Sequence, residues 1–455
     1  MRNKRFILIG CLLFVICQVA MAQFEVLTLD SCMRSAQQRN CTIRSAQLEV
    51  AISREVKKQM LWKYFPQVSL TGFAFGAAKP LIDADVTEIG LEGSASDFLK
   101  QAFEILDGIV KLQDSAAYLS TEIKWLRWGV SAQAQAVQPL FWGGQIVTAN
   151  KLAKLGIDAA QLKEEVSERD VLQEVTDTYW MLAGLMEKRE TVTKVTELLD
   201  SISDVANTAY NHGLVTRNDL LRVQLKQNEM QTKSIQLENG IDLVGRLLCI
   251  MIGVPYEHEP VLETFSEEET VPTLALQPEL HIDGRPETKL LDLNLRYNQL
   301  MRRLTLGESL PHLAIGISGG YSNYFEEHKV NGVAFATLSI PLTGWGETSH
   351  KLKQHDYQIQ QAQLMQSHLR EKLELQNRQS YDQLVESVKL MEQHKSSRDL
   401  AEENYRVALM NYEAGVGTMT ELLESQALLL QASNAYTDSR ISYRTAARKF
   451  QEYNK

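Results

Sequence analysis

Apolar residues recur every three or four positions along the stretch from Gln145 to Tyr210, and neither this stretch nor a second long one, from Glu347 to Tyr412, contains a proline. The pattern resets twice within the first stretch. Its first block consists of Leu152, Leu155, Ala159, Leu162 and Val166. Heptad-like spacing with resets is typical of helices that pack along other helices. Each stretch would be about 100 Å long at 1.5 Å per residue, so we expect long antiparallel coiled-coil helices rather than a compact globular core.

Four shorter helical patterns flank these two stretches. They cover Leu29–Tyr64, Asp219–Ile252, Arg285–Leu306 and Glu421–Phe450. Between the second and the third of them lies the segment 253–284, which contains four prolines and the acidic run Glu267-Glu268-Glu269. Proline-rich, charged sequence without periodicity indicates an irregular linker.

Four runs of about 10 residues alternate apolar and polar side chains, which is the period of a β-strand. Two runs begin after Pro66 and Pro311, which we expect to end the preceding helices, and the other two end at Pro139 and Pro341. The alternating apolar positions are Ala132, Ala134 and Ala136 in the second run, Leu313, Ile315, Ile317 and Tyr321 in the third, and Ala334, Ala336, Leu338 and Ile340 in the fourth. Runs of this length can cross a bilayer as tilted strands. The alternative is a half-buried hairpin of a soluble protein.

The chain contains an internal repeat with a constant offset. The sequence P-L-F-W-G-G-Q at Pro139 matches P-L-T-G-W-G-E at Pro341, and Y-N-H-G-L-V-T at Tyr210 matches Y-E-A-G-V-G-T at Tyr412; both pairs are 202 residues apart. Two matches in the same register indicate a duplication. We therefore divide the mature chain into a first repeat at 23–252, a linker at 253–284 and a second repeat at 285–455.

The first 22 residues have the order of a secretory signal peptide. Three basic residues among the first five precede an apolar run, and Ala20-Met21-Ala22 forms a small-residue cleavage site. The apolar run is too short to span a bilayer comfortably, since about 20 residues are needed. An uncleaved anchor, or lipidation at Cys11 or Cys17, is the alternative. We expect a protein that is secreted across the inner membrane.

Composition argues against a nucleic-acid-binding protein and against a fold held together by disulfides. The net charge of −10 makes the chain a poor ligand for nucleic acid. After the signal peptide only three cysteines remain, and Cys32 and Cys41 would lie about 13 Å apart along one helix, too far to bridge. Disulfides therefore do not hold this fold. No later segment is an 18-residue apolar run, so any membrane-crossing part must consist of strands that close into a barrel.

Two matching motifs, with their order and spacing, resemble the TolC family of outer-membrane efflux proteins. They are Tyr210-x-x-Gly213…Asp219-Leu220-Leu221…Gln224 and Tyr412-x-x-Gly415…Glu421-Leu422-Leu423…Gln426. The strand starts Pro66-Gln67-Val68-Ser69-Leu70 and Pro311-His312-Leu313 and the mature start Leu27-Thr28-Leu29-Asp30-Ser31-Cys32 are also similar to the family. The resemblance covers nearly the whole mature chain except an insert after Lys79.

The resemblance implies a mainly α-helical homotrimer in the outer membrane of a Gram-negative bacterium. Three subunits with four strands each would form a 12-stranded β-barrel surrounded by outer-membrane lipid, and the helices would form a tunnel through the periplasm. The implied function is a passive conduit of a tripartite efflux or type I secretion system, with a periplasmic adaptor protein and an inner-membrane pump as partners. No cofactor and no metal ion is implied. Four strands alone would leave open edges in lipid, so three copies are also favoured on physical grounds.

The first strand pair carries an insert at 79–122 that the second pair lacks. The insert contains nine acidic residues and three lysines. Because strand hairpins place their loops opposite to the helices, we expect it on the extracellular side, partly covering the barrel mouth. A plain loop is the alternative.

The resemblance also implies which residues meet the adaptor and form the gate. The two periplasmic tips that contact the adaptor would be Gly213, Leu214, Val215 and Thr216, and Gly415, Val416, Gly417 and Thr418. Glycine permits a left-handed turn there, and each threonine can cap the returning helix. Tight turns without a partner are the alternative.

At the gate, Glu421 and Glu424 match the paired acids that line the family's periplasmic constriction, and a trimer would place six carboxylates around one axis. Such a ring repels itself and attracts cations. Asp219 and Tyr412 match residues that link neighbouring coils in the closed state, so a hydrogen bond between them is expected. Gly417 stands where the family's type member has an arginine, and Arg217 or Arg222 could substitute for it. The alternative is that the two glutamates are ordinary solvated charges near a helix start.

Other classes of protein fit the sequence less well. A structural or adhesive periplasmic coiled-coil protein has no use for four membrane-length strands, and an adaptor usually has one helical hairpin rather than two. The sequence Gly316–Gly320 matches the G-x-S-x-G motif of hydrolases, but Ser318 lies within a strand pattern instead of at a strand-to-helix turn. His350 and His355 are five residues apart, which misses the helix spacing used by zinc sites, and we expect both to be solvated.

Overall fold

The computed structural model describes residues 26–78, 83–84, 123–124, 128–213, 215–263, 282–324, 327–342 and 344–453. The predicted signal peptide, nearly all of the insert at 79–122 and most of the linker lie outside the described residues. The chain divides into two compact units. Unit 1 comprises Met1–Ile52, Ile157–Asn294 and Ala362–Lys455, and unit 2 comprises Ser53–Gly156 and Leu295–Gln361.

Seven helices account for most of the described residues. They are α1 (Leu29–Arg39), α2 (Cys41–Trp62), α3 (Gln145–Asn211), α4 (Arg217–Ile252), α5 (Pro286–Glu308), α6 (Trp345–Glu413) and α7 (Met419–Tyr453). The two long helices that the heptad spacing predicts are confirmed, since α3 has 67 residues and α6 has 69. None of the described helices is long and apolar enough to cross a membrane.

The prediction of one helix from Leu29 to Tyr64 is wrong, because the chain leaves the helical conformation at Asn40, where ψ is 132°. The Asn40 side-chain oxygen accepts hydrogen bonds from the N–H groups of Thr42 and Ile43, so it caps the start of α2. Its amide group donates to the Met251 carbonyl at 2.8 Å. Cys32 and Cys41 consequently lie on successive helices, and Cys32, Cys41 and Cys249 are free thiols.

A four-stranded antiparallel sheet forms the centre of unit 2. Its strands are β1 (Gln67–Gly76), β4 (Trp128–Trp142), β5 (His312–Tyr324) and β6 (Glu327–Ser339), in the spatial order β1-β4-β5-β6. A second, two-stranded sheet pairs β2 (Asp83–Ala84) with β3 (Ile123–Lys124) at the base of the insert. The four predicted strands are confirmed. Within the described residues, β1 and β6 are each paired along one side only.

The register gives the four-stranded sheet one apolar face. Directly opposed residues share a face in an antiparallel pair, and Leu70 opposes Ala134, which opposes Gly319, which opposes Gly332. The apolar residues of the same face are Val68, Ala74, Val130, Ala132, Ala136, Leu313, Ile315, Ile317, Tyr321, Val330, Ala334, Ala336 and Leu338, and its polar residues are Gln138, Asn323 and His328. The opposite face is mainly polar and includes Gln67, Ser69, Thr71, Ser131, Gln133, Gln135, Ser318, Ser322, Lys329, Asn331 and Thr337.

The sequence pattern predicts that the second strand ends at Pro139. This prediction is wrong, because β4 continues through Pro139 to Trp142. The register between β4 and β5 shifts between Pro139 and Phe141. Proline cannot donate to a strand ladder, and a bulge is the place in a central strand where that donor is dispensable. The bulge therefore accommodates the proline inside the strand.

Three apolar clusters of buried residues hold unit 1 together, and one of them packs Leu384 of α6 against Tyr436 of α7. The other two join further helices. The first packs Tyr179 and Leu182 of α3 against Leu248 of α4 and Cys32 of α1. The second packs Leu199 of α3, Val223 of α4 and Leu422 of α7, and it underlies the two turns of the internal repeat. Packing of helix on helix thus positions the predicted tips.

Candidate docking tips and gate

Each of the two turns between the long and short helices contains a glycine in the same backbone conformation. Gly213 has φ +74° and Gly415 has φ +76°, both in the left-handed region that glycine adopts without strain. The Gly213 N–H donates to the Tyr210 carbonyl at 2.9 Å, and the Gly415 N–H donates to the Tyr412 carbonyl at 3.0 Å. The pairs are again 202 residues apart, so the duplication seen in the sequence is present in the local structure.

A capping box starts the returning helix at each tip. At the first tip the Thr216 hydroxyl accepts from the Asp219 N–H at 3.3 Å, and the Asp219 carboxylate accepts from the Thr216 N–H at 3.2 Å. At the second tip the Thr418 hydroxyl accepts from the Glu421 N–H at 3.2 Å, and the Glu421 carboxylate accepts from the Thr418 N–H at 3.0 Å. Reciprocal bonds of this kind satisfy two otherwise unpaired helix donors. The predicted capping role of both threonines is therefore visible in the geometry.

The second tip presents an apolar side chain to solvent. Val416 is 79% exposed, Val215 is half-buried, and Leu214 lies outside the described residues. At Gly417 an added Cβ would lie 3.0 Å from the Asn411 Cβ and from the Tyr412 nitrogen, so this position has little room for a side chain.

The predicted gate residues lie at the base of the two tips. Glu421 and Glu424 are both exposed and occupy one face of α7. Tyr412 is half-buried beside the apolar cluster under the tips. Burial raises its pKa, and the nearby charge of Asp219 raises it further. Within the subunit the Asp219 carboxylate bonds Thr216, so the expected hydrogen bond between Asp219 and Tyr412 stays a prediction.

One further contact joins the two tips directly. The Arg222 guanidinium of α4 donates a hydrogen bond to the Thr420 hydroxyl of α7. The sequence already marks Arg222 as a cation that could replace the missing arginine at Gly417. Thr420 is not part of a sequence motif, so its contact with Arg222 could be identified only from the packing of α4 against α7.

Residues considered for other chemistry have ordinary structural roles. Ser318 lies in the middle of β5, as the strand pattern predicts. The expectation that both histidines are solvated is wrong for His355, because its ring nitrogens bond the Thr305 hydroxyl and the Gln358 side chain, each at 2.9 Å. His350 is exposed. Among the described residues, no cluster of three or more His, Cys, Asp or Glu side chains could hold a metal ion.

The fold of the described residues is that of the outer-membrane channel proteins. Solved structures of this fold include the outer-membrane channel OprN, with a TM-score of 0.74 at 12% identity over 95% of this chain and 90% of OprN. The Campylobacter jejuni CmeC channel gives a TM-score of 0.74 at 12% identity, and the match covers 94% of this chain and 86% of CmeC. VceC of Vibrio cholerae gives a TM-score of 0.69 at 14% identity, and the match covers 93% of this chain and 95% of VceC. The helical and four-stranded fold class that the TolC resemblance predicts is confirmed.

Sequence similarity to a curated protein is confined to about half of the chain. The chain is 24% identical over 255 residues to the alkaline protease secretion protein AprF of Pseudomonas aeruginosa, which covers 54% of this chain and 53% of AprF. No family model matches the chain. These relatives are channel and secretion proteins rather than enzymes, in agreement with the interpretation of Ser318.

Proposed function

We propose that this chain is the outer-membrane subunit of an efflux or secretion system and acts as a passive conduit from the periplasm to the exterior. Three copies join their sheets into one barrel, and their helices form a tunnel through the periplasm. A periplasmic adaptor contacts the tips, and an inner-membrane pump selects the substrate. The fold shared with OprN, CmeC and VceC supports this proposal.

The observation that carries the proposal is the four-stranded sheet, with its apolar face and its two unpaired edges. Val68, Leu70 and Val330 of the apolar face are 77%, 78% and 82% exposed. Side chains of this kind are stable in contact with lipid, whereas the polar face suits a water-filled interior. Each unpaired backbone group would cost several kcal/mol in lipid, so β1 of one subunit has to pair with β6 of the next.

Exposed apolar stripes on the helices also call for neighbouring copies. On α4 the exposed positions Leu221, Leu225, Ile235, Leu243, Leu247 and Ile250 fall on one face. On α2 the exposed positions are Leu48, Ile52 and Val56, again on one face. Apolar residues that recur on one exposed face of a helix are typical of a protein interface. A trimer would bury such stripes between adjacent subunits.

Paired cysteines test the barrel directly. In a background in which the exposed Cys41 is replaced by serine, Thr71→Cys of β1 is combined with cysteine at Lys329, Asn331, Val333, Phe335 or Thr337 of β6. All these positions lie on the polar face, where antiparallel neighbours from two subunits would meet. We expect oxidation to produce covalent dimers and trimers at one or two adjacent positions, in protein extracted from the outer-membrane fraction by detergent.

The matched control is Thr71→Cys with Gln133→Cys, which are directly opposed within one subunit. This pair should cross-link without producing oligomers. If every β1–β6 pair yields monomers only, or if the protein fractionates with soluble periplasmic proteins, the conduit proposal fails. A periplasmic coiled-coil protein would then be the better interpretation.

If the adaptor contacts the second tip, a substitution there should abolish transport and leave the trimer intact. Val416→Asp should abolish complementation of a deletion strain in a drug-susceptibility or secretion assay, because a charge replaces apolar surface that the adaptor covers. Trimer yield and melting temperature should stay unchanged, since exposed substitutions shift stability by about 0.5 kcal/mol or less. Val416→Ala is the control and should complement. Full complementation by Val416→Asp would refute the docking role.

A further inference from the structure

A cavity of about 490 Å³ lies between α4 and α7 within unit 1. Met230 and Leu430 form part of its apolar lining, and Gln426 and Asn434 provide amide groups. This volume lies in the range of cavities that hold small molecules. The cavity is separate from the tip turns and from the gate acids Glu421 and Glu424.

The Gln426 side chain is 1% exposed, and neither its amide nitrogen nor its amide oxygen has a hydrogen-bond partner within the described part of the chain. The Asn434 amide oxygen is likewise buried and unpartnered. Leaving such a group without a partner costs about 1–3 kcal/mol, and buried polar groups in native proteins are nearly always bonded. The cavity therefore offers one donor and two acceptors to a ligand.

Two lysines at the cavity share one carboxylate. Lys226 and Lys233 each lie 2.8 Å from a Glu229 carboxylate oxygen, and their hydrogen bonds lower the Glu229 pKa. The fourth charged residue of the lining, Asp438, is paired with Lys188 at 2.6 Å. One positive charge on α4 is thus in excess, which favours an anionic group on the ligand.

From this arrangement we infer that the cavity between α4 and α7 binds a small peptide-like solute that carries both an amide and a carboxylate. The ligand's amide supplies the donor and the acceptor that Gln426 lacks, and its carboxylate accepts from Lys226 or Lys233. The inference rests on the subunit fold and on no assumption about transport.

The internal repeat supplies a matched control for Gln426. Gln224 occupies the equivalent position 202 residues earlier, and it is exposed. Methionine has nearly the shape of glutamine without its polar atoms, so Gln426→Met should fold. Gln426→Leu is a second variant with the same purpose. Removing an unpartnered buried amide should raise the melting temperature of both variants, which shows that they are folded.

Calorimetric titration of the full-length protein in detergent tests the site. The probes are N-acetyl-dialanine and the same dipeptide with its C-terminus amidated. We expect saturable millimolar binding of the carboxylate form and at least about tenfold weaker binding of the amidated form. Gln426→Met should weaken the carboxylate form at least about tenfold, because a hydrogen-bonding site discriminates strongly. Gln224→Met should bind like the parent.

Three outcomes would overturn the inference. The first is the absence of saturable binding to the parent up to about 50 mM peptide. The second is binding by Gln426→Met, or by Gln426→Leu, that equals binding by the parent, since the peptide would then lie elsewhere. The third is a crystal structure with the peptide present in which the cavity contains water only.

Discussion

Replacement of Gly143 by alanine is expected to lower the free energy of unfolding by more than about 3 kcal/mol. Gly143 follows β4 in unit 2 and has φ +57°, where a side chain is strained. A Cβ added there would lie 2.0 Å from the Gly307 carbonyl oxygen near the end of α5. Because that atom belongs to the backbone, no side-chain rotation can relieve the clash. The melting temperature of the detergent-solubilised protein, followed by circular dichroism, measures the effect.

Alanine substitutions at two other glycines distinguish the effect of the steric clash from the effect of backbone strain. Gly144 has φ +75° but no atom within 4 Å of an added Cβ, so Gly144→Ala should cost only about 1–2 kcal/mol. Gly156 lies inside α3 with free space around it, so Gly156→Ala should stabilise by about 0.5–1 kcal/mol. Equal melting of Gly143→Ala and Gly144→Ala would show that the close approach to Gly307 has no energetic consequence.

Local chemistry made the long helices and the tips predictable from sequence. Both α3 and α6 run for more than 60 residues without a proline, and the blocks of apolar residues three and four positions apart in α3 have the period of a helix. At the tips, glycine and threonine stand where a left-handed turn and a helix cap need them. These signals depend only on residues that are close in sequence, so they can be recognised without knowledge of the tertiary packing.

The features that sequence reasoning missed depend on distant partners. The break at Asn40 is hidden because apolar spacing continues across it, and its amide is anchored by the Met251 carbonyl, 211 residues away. The strand through Pro139 depends on a bulge against β5. Gln224 and Gln426 are equivalent in the repeat, yet only Gln426 is buried, because the two copies pack against different neighbours.

In the proposed trimer, neutralising Glu421 and Glu424 together should remove most of the channel's preference for cations. Both carboxylates are exposed on one face of α7, directly after the second tip, so three subunits would place six of them around the axis. The pair Glu421→Gln with Glu424→Gln removes charge with little change in shape. Glutamine at position 421 still offers an oxygen to the Thr418 N–H that Glu421 caps at 3.0 Å, so the helix start should be retained.

Single-channel recording in planar bilayers decides whether these acids line the constriction. We expect the cation-to-anion permeability ratio of the double variant to fall at least about threefold, and block by multivalent cations to weaken, because a charged ring controls selectivity only where the pore is narrow. Glu371→Gln with Glu374→Gln is the matched control, since these acids are also exposed and three residues apart on a helix. It changes the total charge equally and should leave selectivity and block near those of the parent. If both double variants behave alike, the effect belongs to net charge and Glu421 and Glu424 do not form the gate.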